Sequence, residues 1–182
     1  MRIRRLTVCL LMAIMVNGCS SMNIEEFSNT QPHFVLDEYF LGTTHAWGLF
    51  EDRFGNVKRS FKVTINGSQQ DGKLILVEDF VYNDGETDQR IWTITQTGKN
   101  RYEGQADDII GKAQGLVAGN ALNWKYTMML PVGGKSYKVK FNDWMFLQSD
   151  DVMINKATVS KWGIELGTVL LFFNKQPTNT HF

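Results

Sequence analysis

The sequence predicts an all-β protein: an antiparallel up-and-down barrel of about eight to ten strands with a short N-terminal helix. Three observations carry that expectation. Turn-forming pairs recur at hairpin intervals, at Gly55-Asn56, Asn66-Gly67, Asp71-Gly72, Asp84-Gly85, Gly98-Lys99, Gly119-Asn120 and Gly133-Gly134, because glycine and asparagine tolerate the positive φ of tight turns. Between them, runs such as Phe61-Lys62-Val63-Thr64-Ile65, Ile91-Trp92-Thr93-Ile94-Thr95 and Tyr137-Lys138-Val139-Lys140-Phe141 alternate with period two and favour β-branched and aromatic residues. No window sustains a helical period.

The chain has 182 residues, and its first eighteen read as a removable leader. Arg2, Arg4 and Arg5 precede an apolar run from Leu6 to Val16 interrupted only by Thr7, the n- and h-regions of a secretory signal peptide. That run is too short for a bilayer, which needs about 20 apolar residues. Val16-Asn17-Gly18-Cys19 follows and resembles the lipobox of bacterial lipoproteins, with an aliphatic residue, a small residue and then cysteine. The resemblance implies that Cys19 is lipidated and becomes the new N-terminus. Ser20 in the next position, where aspartate is associated with inner-membrane retention, directs the expectation to the outer membrane, with the domain facing the periplasm.

Cleavage leaves residues 19–182, a length suited to one domain that needs no disulfide staple. Cys9 departs with the leader and Cys19 is taken by lipid, so no thiol remains for a disulfide, a cysteine metal site or a cysteine nucleophile. Removing the three leader arginines leaves 16 basic against 19 acidic side chains, a formal −3. Nothing there favours nucleic acid, and no basic run offers a phosphate track.

Residues 19–31 read as a polar tether that, fully extended, reaches roughly 40 Å. The globular domain is expected over 32–176, with 177–182 as a tail. Phe34-Val35-Leu36 and Tyr39-Phe40 have helical spacing for about two turns. The strands are then expected at 43–53, 57–66, 72–82, 87–96, 101–107, 110–118, 121–130, 135–147, 152–161 and 164–174. Short turns between consecutive strands make a meander, and closing it into a barrel removes both exposed edges. An open sandwich is the competing arrangement. A transmembrane barrel fits less well, because Lys62, Lys138 and Lys140 would face lipid.

Several motifs sharpen the class. Asp37-Glu38-Tyr39-Phe40-Leu41-Gly42 with His45-Ala46-Trp47-Gly48 resembles the lipocalin entrance, a short helix feeding a strand with a buried tryptophan. Glu78-Asp79-Phe80, Asp84-Gly85-Glu86, Arg90-Ile91-Trp92, Ala106 to Ala113, Gly119-Asn120-Ala121, Asn142-Asp143-Trp144-Met145 and Asn155-Lys156-Ala157 follow in succession. Behind a lipobox, they resemble the bacterial lipoprotein family known as domain of unknown function 3833, over essentially the whole mature chain. The resemblance implies a calycin-like barrel and an envelope lipoprotein; it implies no activity and no functional residues.

The candidate site rests on turn geometry. A two-residue Asp84-Gly85 turn sets Asp79 opposite Arg90, whereas a three-residue Asn83–Gly85 loop sets Glu78 there. The first register is preferred, since it places Ile75, Val77, Val81, Trp92 and Ile94 on the same inward face. Arg90 can fork onto a ligand carboxylate or phosphate, or close a structural network. Trp124, Tyr126 and Met128 share an inward face, and the lysines of 137–145 turn Tyr137, Val139, Phe141 and Asp143 inward and Trp144 outward. Trp47, Asp79, Arg90, Trp92, Trp124, Tyr126 and Asp143 are therefore the expected ligand-binding residues, with the tryptophans serving equally as core fillers.

His45 has no second histidine beside it, so neither a zinc site nor a Ser-His-Asp triad is expected. Asp107-Asp108 lacks EF-hand spacing and reads as a strand end. No cofactor is expected. Three functions remain: a membrane-tethered module that binds a fatty acid or other hydrophobic fragment; an isomerase or hydratase using Asp79, Glu78 or Asp143 as acid or base; or an envelope-assembly partner.

Overall fold

The computed structural model describes residues 22–149 and 151–175. Ten strands form one closed antiparallel barrel: β1 (Gly42–Asp52), β2 (Val57–Gln70), β3 (Lys73–Tyr82), β4 (Thr87–Gly98), β5 (Arg101–Gln105), β6 (Ala113–Ala118), β7 (Ala121–Val132), β8 (Lys135–Leu147), β9 (Val152–Lys161) and β10 (Ile164–Asn174). Each strand pairs with its sequence neighbours, and β1 closes on β10 from His45 opposite Asn174 to Asp52 opposite Gly167. That pairing rules out the open sandwich. No described helix is long and apolar enough to cross a membrane.

The expected strands appear with small shifts except at β2, which runs four residues further to Gln70 so that Asn66-Gly67 lies within the ladder opposite Val77 and Leu76 and is not a turn, and at β5 and β6. These stop at Gln105 and start at Ala113, and 106–112 becomes a loop laid along β7, with Ile110 N donating to Thr127 O at 2.8 Å and Met129 N donating to Asp108 O at 3.0 Å. The loop thus fills the wall that two longer strands were expected to build.

One end of the barrel is plugged. Helix α1 (Leu36–Phe40) buries Leu36, Tyr39 and Phe40, and a Cβ on Gly67 would collide with the Phe40 carbonyl oxygen, so only glycine lets the helix seat there. Beneath α1, Ile65, Leu74, Leu76, Ile94, Leu122, Met153 and Phe173 make a continuous buried core. Further in, the rings of Trp124 occupy the space over Gly104 and Gly115, where any Cβ would strike them. Large residues facing small ones fill a tapering interior.

The segment expected to be a free tether is folded from Met22 onward. Asn23 caps a 3-10 turn at Ile24–Phe27, Phe27 packs against Trp144 and Phe146 at 5.9 and 5.3 Å between ring centroids, and Thr30 Oγ1 donates to Asn120 Oδ1 at 2.6 Å. Trp144 does point outward, and Phe27 is what buries it. The leader, Cys19 and the tail at 177–182 lie outside the described residues.

Candidate binding site inside the barrel

The β3–β4 turn decides which residues enter the barrel. Tyr82 N donates to Glu86 O at 2.9 Å and Gly85 N to Tyr82 O at 3.0 Å, which encloses the three-residue loop Asn83-Asp84-Gly85 with Gly85 at φ +86°. Asp84 Oδ1 accepts the Glu86 N–H and stabilises that loop. Glu78 therefore stands opposite Arg90, and Asp79 opposite Gln89. The preferred Asp79–Arg90 register is overturned: a slip of one residue exchanges the faces, so Asp79 lies on the outer wall, bonded to Gln89 Nε2 at 2.7 Å.

Trp47 is also displaced from its expected place. Its neighbour Ala46 is the buried, inward residue, and Trp47 meets Phe172 on the outer wall at 6.2 Å. The other five candidates, Arg90, Trp92, Trp124, Tyr126 and Asp143, share the interior.

Arg90 is the hub. Its Nε and Nη2 both donate to Asp108 Oδ2, at 2.9 and 2.8 Å, its Nη1 lies 3.9 Å from Glu78 Oε2, and its guanidinium sits 5.6 Å over the Phe80 ring. Trp92 stands edge-on to Trp124 and Tyr126 at 5.8 and 5.6 Å, and Tyr126 stacks on Phe141 at 4.9 Å. The Trp92 indole faces Glu78, and the Tyr126 hydroxyl faces Asp143. One oxygen each of Asp108 and Asp143 is buried with no hydrogen-bond partner among the described residues.

Burial governs the charges. It pushes Glu78 up to about 7, against the pull of Arg90 and Trp92, and Asp143 up to about 8, against Arg90 and Tyr126. It also drives the Tyr126 phenol far above its usual range. Burial opposes the charge on Arg90, but Glu78, Tyr126 and Asp108 outweigh it and hold the guanidinium firmly protonated. At neutral pH Asp143 is thus mostly neutral, Glu78 is near its midpoint and Arg90 is a fixed cation. The site can grip an anion, or move a proton at a carboxyl.

Sequence reading missed Asp108 and ranked Glu78 second. Asp108 arrives on a loop whose course depends on two unusually short strands, which nothing local signals. The β1–β2 turn repeats the loop geometry that brings Glu78 inward. Asp52 N donates to Asn56 O and Gly55 N to Asp52 O in the same three-residue pattern, with Gly55 at φ +83°.

Above this cluster the interior opens toward the turns. Phe50, Phe61, Phe80, Phe141, Val169 and Leu171 face inward and pack against the core, yet stay only partly buried. Arg59, at the rim of the same opening, lies 3.4 Å over the Tyr82 ring and pairs with Asp84 and Glu86.

The fold and site define a ten-stranded antiparallel barrel of lipocalin-like form, plugged at one end and holding an ionisable cluster below an apolar opening. The family described as "Protein of unknown function (DUF3833)" matches residues 13–175, and the chain belongs to it. No curated protein matches the chain.

Proposed function

We propose that this protein binds a hydrophobic molecule, a fatty acid or similar lipid fragment, in the open half of the barrel, with the ligand's polar end at Arg90. We further propose that it does so as a periplasm-facing outer-membrane lipoprotein held through Cys19. The supporting observation is the change in exposure along single strands. On β3, Leu74 and Leu76 are sealed, while Glu78, Phe80 and Tyr82, facing the same interior, are not. The Glu78 and Arg90 side chains keep 16% and 21% exposure, so a solvent-sized body reaches the cluster.

An acyl chain lying on those rings gains about 0.8 kcal/mol per buried methylene. A carboxylate head competes with Glu78 and Asp108 for Arg90. Protonation of Glu78 below about pH 7 removes one competitor, so a carboxylate ligand binds more tightly at mildly acidic pH. The test is mass spectrometry of lipid extracted from natively purified protein, with fluorescent fatty-acid displacement run beside it on Arg90→Ala.

A second reading draws on the two carboxyls that titrate near neutrality. Glu78 and Asp143 suit general acid–base work, such as isomerising or hydrating an unsaturated chain. Turnover of an unsaturated fatty acid that disappears in Glu78→Gln or Asp143→Asn supports this reading; stoichiometric binding without turnover supports the first.

A further inference from the structure

The barrel's exposed apolar surface is concentrated at its mouth. Six large apolar side chains among the described residues are more than half exposed: Phe54, Val57, Val81, Val132, Trp162 and Ile164. All six lie in or beside the turns at the open end; none of the described residues at the plugged end is as exposed. Trp162, 89% exposed, and Phe54, 74% exposed, project from the tips of the β9–β10 and β1–β2 turns. A bare tryptophan on a hairpin tip contributes nothing to the core, and such clustering marks an interaction surface.

The charge around the mouth divides into two arcs. Turns β1–β2, β9–β10 and β7–β8 are neighbours around the barrel. Residues 52–58, 135–138 and 161–165 carry Arg53, Lys58, Lys135, Lys138 and Lys161 against Asp52 and Glu165, a formal +3. The opposite arc, residues 82–88 and 106–112, carries Lys112 against Asp84, Glu86, Asp88, Asp107 and Asp108, a formal −4. In the basic arc, cations and rings are paired: Arg53 lies 4.8 Å over the Phe54 ring, and Lys161 lies 4.4 Å from Trp162 and 4.5 Å from Tyr137.

We propose that this aromatic and basic arc docks the mouth onto an anionic phospholipid bilayer. Tryptophan settles at the level of the head groups, where its apolar body and polar N–H are both satisfied, and neighbouring lysines and arginines are drawn to anionic lipid. The docking goes beyond the ligand reading, since the arc is complete whether or not the barrel is occupied.

The test uses the full chain reconstituted with vesicles of phosphatidylcholine, alone or mixed with phosphatidylglycerol, brominated in the acyl chains. Trp92 and Trp124 are buried in the barrel and Trp144 lies under Phe27, so quenching that differs between wild type and Trp162→Phe reports on Trp162. Quenching present in wild type with mixed vesicles, lost in Trp162→Phe, and reduced by omitting phosphatidylglycerol or by Arg53→Glu with Lys135→Glu is the expected result. Ile154→Ser, on the wall near the plugged end, should leave it unchanged. Equal quenching of wild type and Trp162→Phe overturns the proposal. So does a lipid-free dimer that Phe54→Ser with Trp162→Ser dissolves, which would make the arc a contact between copies. Fatty-acid displacement in the same samples reports separately on the interior site.

Discussion

The two halves of the barrel share the same strands but not the same chemistry. On β4, Ile94 and Trp92 are buried toward the plugged end while Arg90, two residues nearer the mouth, is only partly so; on β8 the order is broken, because Phe141 is half-buried while Val139, nearer the mouth, is sealed again opposite Met128. The plugged half is closed by α1 and by aliphatic and aromatic side chains, with the buried Thr44 a polar exception. The open half keeps ionisable groups and incompletely covered rings. Sealed packing is concentrated in the first and the ionisable cluster in the second, an arrangement that lets the barrel hold buried charge without unfolding.

The largest contrast should come from truncating one residue in each half. Leu122→Ala, in a fully buried site of the plugged half, should cost about 2–5 kcal/mol; urea unfolding measures it. Phe61→Ala, in the open half, should cost less, since part of its ring is uncovered already, and should weaken acyl binding more than Leu122→Ala does. Equal losses would erase the proposed division.

Arg90→Ala comes next. It strands Asp108, while Glu78 and Asp143 can take up protons, so the loss should be about 1–3 kcal/mol. The loss should be greater at pH 8 than at pH 6, because Glu78 is then ionised without its partner. Thermal unfolding at the two pH values checks it.

The pH profile of the wild type is a smaller effect with a definite sign. In the folded barrel Glu78 and Asp143 hold protons up to about 7 and 8, whereas in the unfolded chain they release them near 4. The folded state binds more protons across that window, so stability falls as pH rises from about 5 to 8 and levels off above it. Asp143→Asn should flatten the upper part of the fall. The smallest effect is expected from Trp47→Phe on the outer wall, which should leave ligand affinity unchanged in the displacement assay.

Much of this architecture was legible in the sequence, and the exceptions have physical causes. The turns other than Asn66-Gly67, the ten strands and the barrel follow from glycine placement and period-two runs. The inward face of β8 was readable because its lysines mark the outside unambiguously. β3 was not readable that way: Leu74-Ile75-Leu76-Val77 is apolar on both faces, since the outer wall is itself partly apolar, and the pattern favours Asp79 inside as readily as Glu78. The turn settles it, through one extra loop residue. Trp47 misled for the same reason, because a tryptophan on β1 can shelter against Phe172 outside as well as inside a core. Asp108 depends on where β5 and β6 stop, and that is set by a loop packing on β7 far along the chain.

The central claim is that the open half holds the ligand while the plugged half holds the fold. It is tested most directly by titrating a fluorescent fatty acid into wild type, into Leu171→Trp, which fills the opening, and into Ile65→Val, which loosens the plugged core. The account predicts saturable binding to wild type. In Leu171→Trp affinity should fall by about tenfold or more, roughly 1.4 kcal/mol, with the melting temperature little changed; in Ile65→Val the melting temperature should fall and affinity should hold. No saturable binding to wild type, or binding that Leu171→Trp leaves intact, would contradict it.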